Sequence, residues 1–250
     1  MKDKDGLLSW MAVDELHSLR LAHVTAKTAI QLIATEVDLR PRIQALLQTN
    51  SGFAKGATDS AYSDSADITV RTAQEIIDND FMNLRTSMLI GQCAALEHLI
   101  KCLIVEWAEI APQKIEGLDS FRISLQASDF LEADLRDRLF LVADKLYQDT
   151  PSNKGHSEKF RSIVRNHIPH QFELFQREIE AVDKDDLDEA FLVRNCVIHN
   201  GAKINRQLAR LDGFELGGSI VISSRLLGKY SKAIEKMGGA LFSCSAACVL

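Results

Sequence analysis

Residues 89 to 107 read LIGQCAALEHLIKCLIVEW, and this stretch decides the fold class. It belongs to a longer segment, from Ile68 to Ile110, in which apolar side chains recur every three or four residues. Such spacing places the apolar side chains on one broad face of an α-helix, and a face of this width is buried in a globular protein. The segment therefore predicts one long core helix. Its apolar face consists of Leu89, Cys93, Leu96, Leu99, Ile100, Leu103 and Trp107.

The chain before the core helix divides into two parts. Residues 7 to 47 carry a helical period, interrupted at Pro41, and predict an N-terminal helical arm over residues 1 to 50. Residues 49 to 67 are rich in Gly, Ser, Thr, Asp and Ala and lack a period, so they predict a loop at a domain boundary. We therefore expect a second domain, also helical, over residues 68 to 250.

The chain after the core helix predicts shorter helices and one small β-element. Alternating apolar residues beside Gly217 and Gly218 predict a short β-hairpin over residues 214 to 222. The expected fold is thus all-α, a helical bundle with a short β-hairpin before the C-terminal helix. Helices are expected at about 128 to 146, with Ser128 as N-cap, and at about 157 to 166, 169 to 182, 183 or 185 to 200, 204 to 211 and 224 to 247.

Composition limits the class of protein. The 250 residues are 46% hydrophobic and 26% charged with four prolines, which excludes disordered and collagen-like chains. Since neither a secretory signal nor a run of about 18 apolar residues is found, we expect a cytoplasmic protein with no membrane partner. The cysteines at 93, 102, 196, 244 and 248 fit reduced, buried thiols rather than a disulfide framework.

The charges are unevenly distributed along the chain. A net charge of −6 argues against a protein that coats nucleic acid without specificity. Residues 173 to 189 contain eight acidic and two basic residues, whereas residues 194 to 236 contain eight basic and three acidic ones. A phosphate-bearing ligand is therefore expected on the C-terminal side of Arg194, with Lys203, Arg206 and Arg210 as candidate RNA-binding residues. The alternative is a pair of solvated helix faces that happen to differ in sign.

The sign of the charge changes at the sequence RNCVIHN, residues 194 to 200, which Gly201 follows. Arg194 supplies a permanent cation that can bind a phosphate with two hydrogen bonds. His199 supplies an imidazole, the side chain that exchanges protons most readily near neutral pH. Asn200 and Gly201 are residue types that end helices, so His199 is expected in the last helical turn.

The spacing of the motif bears on how its two charged groups can meet. Five steps of about 100° separate Arg194 and His199 by roughly 140° around an ideal helix. They therefore do not share a narrow stripe on one helix. A site that uses both side chains requires either a distorted helix end or a second copy of the chain.

The motif resembles the signature of the HEPN superfamily (higher eukaryotes and prokaryotes nucleotide-binding). Ribonucleases of that superfamily carry Arg, four to six residues and then His, with a polar residue, often Asn, directly after the Arg. Arg194 matches the arginine, Asn195 the polar position and His199 the histidine, and Asn200 continues a frequent family trait. The similarity covers residues 68 to 250, including an acidic residue, Glu97, in the earlier apolar helix.

The resemblance implies a helical bundle, often a homodimer, in which two motif copies face each other and form one RNA-cleaving site. Because the 2′-hydroxyl beside the scissile phosphate is an internal nucleophile, the protein need only move protons and stabilise charge, without a metal or another cofactor. His199 is then acid or base, Arg194 binds the transition state, and Asn195 orients the histidine or binds the phosphate. Glu97 is expected to pair with Arg194, or else to be a surface residue that faces a partner.

These features favour a metal-independent endoribonuclease, acting as a toxin in a toxin-antitoxin or phage-defence system and regulated by an antitoxin or another protein. A noncatalytic nucleotide-binding or protein-interaction module and a purely structural helical subunit are the alternatives. In the structural alternative, the motif cations only cap a helix end. Metal binding is a further alternative, although no four residues show zinc-site spacing; its ligands would come from His167, His170, Cys196 and His199, or from Cys244 and Cys248.

Overall fold

The computed structural model describes residues 8–35, 59–115 and 134–245. Within these ranges the protein is mainly helical and has no β-strand, which confirms the all-α class. The α-helices are α1 (Leu8–Thr35), α2 (Asp59–Asp78), α3 (Met82–Ile110), α4 (Leu135–Asp149), α5 (His156–His167), α6 (Phe172–Glu178), α7 (Lys184–His199) and α8 (Ser224–Phe242). Short 3-10 turns occupy Pro112–Lys114, Pro169–Gln171, Ile179–Ala181 and Leu208–Arg210.

The chain forms two compact units. The first unit comprises Met1–Leu19 and Met88–Leu250, and the second comprises Arg20–Ser87. The first unit contains the large hydrophobic core and every residue of the motif.

The core of the first unit is built on α3. All seven residues expected on its apolar face are at most 1% exposed, which confirms the prediction of a core helix. The Trp107 indole Nε1 donates a hydrogen bond to the Cys244 carbonyl oxygen at 2.8 Å, and the Ser231 hydroxyl donates to Gln92 Oε1 at 2.8 Å. These bonds join α3 to α8 and to the residues that follow it, while α7 packs against both α8 and α5.

Helix α3 is also long and apolar enough to be compared with a membrane-spanning helix. Among the described residues it is the one helix long and apolar enough to cross a bilayer. A buried core helix has the same composition, and 67% of the most apolar part of α3 is buried inside the protein. The apolar length is therefore weak evidence for a membrane span.

The structure corrects the prediction of one helix over 68 to 110. The helix is broken between α2 and α3, where Asp80 and Phe81 adopt left-handed backbone conformations with φ of 49° and 55°. Asp80 also accepts a hydrogen bond from the Arg85 guanidinium at 2.9 Å. Asp and Asn tolerate this conformation and favour turns, so the sequence Asp78-Asn79-Asp80 was a stop signal that the apolar period obscured.

The expected loop over residues 49 to 67 is also wrong in part. Residues 59 to 67 are helical and form the start of α2, since alanines and short polar side chains allow a helix there. Residues 49 to 58 lie outside the described residues, as do residues 36 to 47 of the expected N-terminal helix.

The predictions for the C-terminal half are mostly confirmed, with two exceptions. Helices α5, α7 and α8 lie close to their expected places, and Asp183 and Ser223 cap α7 and α8 through bonds to Asp186 N and Leu226 N. Helix α4 starts at Leu135 with Asp134 as its N-cap, and the expected cap Ser128 lies outside the described residues. Residues 204 to 211 form only a 3-10 turn, Leu208–Arg210.

The second exception is the β-hairpin over residues 214 to 222, which the described chain does not form. Instead, residues 202 to 204 run antiparallel to residues 218 to 220, with an isolated bridge between Lys203 and Ser219. Ile204 N donates to Gly218 O at 2.9 Å, and Ile220 N donates to Ala202 O at 2.9 Å. The chain does turn at Gly217, as predicted. However, the apolar residues after Gly218 pair with residues 202 to 204, which follow the motif, and not with residues 214 to 216.

The second unit is small. Phe81 is buried in it, and the Lys27 ammonium lies 5.2 Å from the centre of the Phe81 ring. Burial, with the nearby charges of Lys27 and Arg85, lowers the pKa of His23 below its ordinary value. No residue of the candidate site belongs to this unit.

Candidate functional site

Helix α7 positions the motif. Its first turn contains Asp185 and Asp186, where the helix dipole favours acids, and its last helical residue is His199, as expected. The chain leaves the helix through Gly201, whose φ is +57°, and Ala202 N donates back to Cys196 O at 3.2 Å. His199 is therefore held at the helix terminus, where its ring is exposed.

Arg194 is fixed by two neighbours, one of which lies on α3. Its Nη2 donates to Glu97 Oε2 at 2.8 Å, and its Nη1 donates to Asn195 Oδ1 at 3.0 Å. The pair between Glu97 and Arg194 is thus the one expected from the sequence. The side chains of Arg194 and Glu97 are 16% and 19% exposed, so the pair is largely buried but reaches the surface.

The carboxylate of Glu97 is itself held by a residue of α4. The Tyr147 hydroxyl donates to Glu97 Oε1 at 2.9 Å. Burial and the charge of Glu97 raise the pKa of Tyr147, so its hydroxyl keeps its proton and remains a donor. Three helices therefore meet in a chain of hydrogen bonds from Tyr147 through Glu97 to Arg194.

Two basic residues of α5 complete the cluster. The Lys159 ammonium lies 3.7 Å from the centre of the Tyr147 ring, and the His156 ring stacks on Phe191 of α7 at 4.0 Å. Burial lowers the pKa of His156 to about 4, and the charges of Lys159 and Arg194 act in the same direction. His156 is therefore neutral at pH 7. We refer to Glu97, Tyr147, His156, Lys159 and Arg194 as the polar cluster.

His199 and Asn200 lie outside this cluster. Both are exposed, and among the described residues the His199 side chain has no hydrogen bond or ion pair. The Asn200 amide approaches Cys196 Sγ at 3.9 Å. The structure thus leaves the imidazole accessible to a ligand, whereas Asn195 holds Arg194 rather than the histidine.

The three candidate RNA-binding residues follow the motif on the surface. Lys203, Arg206 and Arg210 are exposed, and the Lys203 ammonium donates to the Ser219 hydroxyl at 2.9 Å. A groove of about 630 Å³ runs along the same connecting segment, between Phe214 and Leu226, but none of the three basic side chains lines it.

The charge difference along the sequence is partly neutralised in space. Lys229 of the basic segment pairs with Asp186 at 2.8 Å and with Glu189 at 3.0 Å in the acidic one. Lys236 donates to the Ala181 carbonyl oxygen at 2.8 Å. Of the basic residues from Arg194 to Lys236, only Arg194 and Lys229 are thus paired with acids among the described residues, so most of the expected positive charge remains available to a phosphate.

The proposed metal ligands do not come together in the described chain. No group of three or more His, Cys, Asp or Glu side chains there is arranged to hold a metal ion. Cys93, Cys102, Cys196 and Cys244 are free and buried, which confirms the expected thiols, and Cys248 lies outside the described residues. His170 packs edge-on against Trp107 at 4.4 Å.

Tyr147, His156 and Lys159 were not predicted from the sequence. They lie on α4 and α5, far from the motif in sequence, and no spacing connects them to it. Glu97 was a candidate because the resemblance includes an acidic residue in the earlier apolar helix. The other three are recognisable only after the helices have packed.

Comparison of the chain with protein families, curated proteins and solved structures finds no match. The chemistry of the site must therefore be argued from its own residues.

Proposed function

We propose that the protein is a metal-independent endoribonuclease of HEPN type, acting as a cytoplasmic toxin in a toxin-antitoxin or phage-defence system. The observation that carries this proposal is the pairing of Arg194 of α7 with Glu97 of α3, together with an exposed His199 at the end of α7. An arginine held in a fixed orientation is suited to bind a phosphate group. An accessible imidazole is suited to transfer protons.

Each residue then has a defined role. The RNA 2′-hydroxyl attacks the adjacent phosphorus, and His199 either removes the hydroxyl proton or protonates the leaving oxygen. Arg194 stabilises the negative charge that develops on the phosphate oxygens. Asn195 and Glu97 hold the guanidinium, as their hydrogen bonds at 3.0 and 2.8 Å indicate.

A second copy of the chain supplies the other half of the site. Arg194 points into the polar cluster, whereas His199 is exposed beyond it, as the separation of roughly 140° on one helix leads one to expect. A symmetric pair of α7 helices brings two arginines and two histidines to one phosphodiester. Arg194 of one copy and His199 of the other can then act on opposite sides of the phosphate.

The test is cleavage of RNA by the purified full-length protein in excess chelator. We expect cleavage that falls at least about 100-fold in Arg194→Ala and in His199→Ala, since proton transfer and electrostatic stabilisation each contribute on that order. Arg177→Ala and His17→Ala are matched controls, because both side chains are exposed and distant in sequence from the motif. Circular dichroism confirms that each variant is folded.

RNA that stays intact at high concentrations of folded protein would contradict the nuclease. The second candidate would then be preferred, a noncatalytic module that binds a nucleotide or a protein partner through the same residues. One observation favours it specifically: Arg194 already has two hydrogen-bond partners, as in a structural pair. Binding without cleavage is its signature.

A further inference from the structure

Lys159 is a mostly buried residue whose ammonium has no ion-pair partner among the described residues. The residue is only 7% exposed, and among the described residues its ammonium has no hydrogen bond or ion pair. Its one specific contact is the face of the Tyr147 ring at 3.7 Å. The Lys159 ammonium reaches solvent, and an ammonium held at the edge of a buried cluster can donate hydrogen bonds to an anion that enters from water.

Arg194 has a buried donor without an acceptor in the same cluster. Its Nε is buried and donates to no acceptor within the described ranges, although its two terminal nitrogens are bonded. Lys159 and Arg194 together carry two positive charges, and the Glu97 carboxylate interacts electrostatically with both. The cluster therefore has an excess of positive charge and of hydrogen-bond donors.

The positive charges of the cluster affect the pKa values of the basic side chains within it. Burial lowers the pKa of Lys159, the charge of Glu97 opposes that effect, and the charge of Lys101 adds to it. Lys101 is itself paired with Asp144, so its charge is compensated. Lys159 and Arg194 both lower the pKa of His156, so the three basic side chains share one environment.

We propose that Lys159, together with Arg194, forms a subsite for a phosphate group. This subsite rests on the proposed function, and it assigns to the nuclease a phosphate-binding residue outside the motif. A phosphate oxygen accepts the hydrogen bonds that Lys159 lacks, and its negative charge balances the excess of the cluster. The phosphate comes either from the RNA backbone or from a free phosphate or nucleotide.

The experiment follows the His156 ring by NMR in the full-length protein, with the signal assigned through His156→Gln. The probes are inorganic phosphate and an RNA with 2′-O-methyl riboses, which lacks the internal nucleophile. We expect binding to shift the His156 signal and to raise the pKa of His156, because the bound anion offsets two nearby positive charges. Binding by both probes assigns a general phosphate site, and binding by the RNA alone assigns the RNA backbone as the source.

The decisive variant is Lys159→Met, which removes the charge and keeps most of the volume. Affinity for the probe is expected to fall at least tenfold, whereas Lys154→Met, an exposed lysine just before α5, is expected to leave it unchanged. Lys159→Gln serves as a second neutral variant if the methionine disturbs folding. Equal affinity in the wild type and either folded Lys159 variant would overturn the subsite, as would a wild type that binds neither probe.

The phosphate subsite and the nuclease activity can fail independently, and the experiments tell the two failures apart. Phosphate binding that depends on Lys159, in a protein that cuts no RNA, keeps the subsite and removes the enzyme. RNA cleavage with the same kcat/KM in Lys159→Met keeps the enzyme and removes the subsite.

Discussion

Glu97 connects the core to the motif at the scale of single residues. Its two carboxylate oxygens accept hydrogen bonds from Tyr147 and Arg194, so one side chain fixes two others. The family resemblance suggested this pair as one of two alternatives for Glu97, the other being a surface residue that faces a partner. It could not predict Tyr147, because the contact depends on how α4 packs against α3.

Glu97→Gln is expected to lower the free energy of unfolding by about 1 to 3 kcal/mol, since it removes the charge that compensates Arg194 in a largely buried pair. RNA cleavage should fall as well, because the guanidinium loses its orientation. Chemical unfolding and cleavage rates on the same preparation measure both effects. The matched control is Asp149→Asn in the exposed pair with Lys145, where about 0.5 kcal/mol or less is expected. Equal effects of the two substitutions would contradict a positioning role for Glu97.

His156 should make stability depend on pH. Its pKa is about 4 in the folded protein, whereas an unfolded histidine titrates near 6.5. Between these values the unfolded chain binds a proton that the folded one does not, so the free energy of unfolding falls as the pH falls. The full effect is on the order of 3 kcal/mol and is reached near pH 4.

Unfolding by urea at pH 7.5 and pH 5 measures this effect. His156→Gln should lose less stability than the wild type between the two pH values. His17→Gln, at an exposed position, should behave as the wild type does. A wild type and a His156→Gln variant with equal pH dependence would show that His156 titrates normally.

At the scale of elements, the junction between α5 and α7 determines where the cluster forms. Asp188 of α7 accepts hydrogen bonds from the Ser157 backbone nitrogen at 2.7 Å and from the Ser157 hydroxyl at 2.9 Å. Gly155 precedes α5 with a φ of +100°, and a Cβ there would collide with the Asp188 carboxylate. The start of α5 is thus held directly on α7, which positions His156 and Lys159.

Gly155→Ala is therefore expected to destabilise the protein by at least about 2 kcal/mol, from backbone strain and the collision together. Gly213→Ala is the control for strain alone, because its φ is +88° and nothing lies within 4 Å of a Cβ there. Its expected cost is about 1 kcal/mol. Thermal unfolding compares the two, and equal losses would contradict the close contact at Gly155.

The elements also show how far the sequence could predict the fold. Helix periods and caps gave α5, α7 and α8 nearly as observed, because these signals are local. The break at Asp80 and the pairing of residues 202 to 204 with residues 218 to 220 were missed. The first was hidden by an apolar period that continues across it, and the second depends on a partner outside the expected hairpin.

At the scale of the whole molecule, the proposed site requires two copies of the chain. We expect light scattering to give twice the chain mass of 27.8 kDa at micromolar concentration. A strict monomer that still cleaves RNA would contradict the two-copy site and would require Arg194 and His199 of one chain to meet.

In the proposed nuclease, Arg194 and His199 act on the same phosphodiester. The most direct measurement is kcat/KM for one RNA in excess chelator, for the wild type, Arg194→Ala, His199→Ala and the double variant. Groups that act as a unit give losses that do not add, so the double variant should be no slower than about the worse single variant. A double variant whose loss in kcat/KM equals the product of the two single losses would show that Arg194 and His199 act independently and would contradict the shared site. A folded wild type that leaves the RNA intact would contradict the nuclease itself.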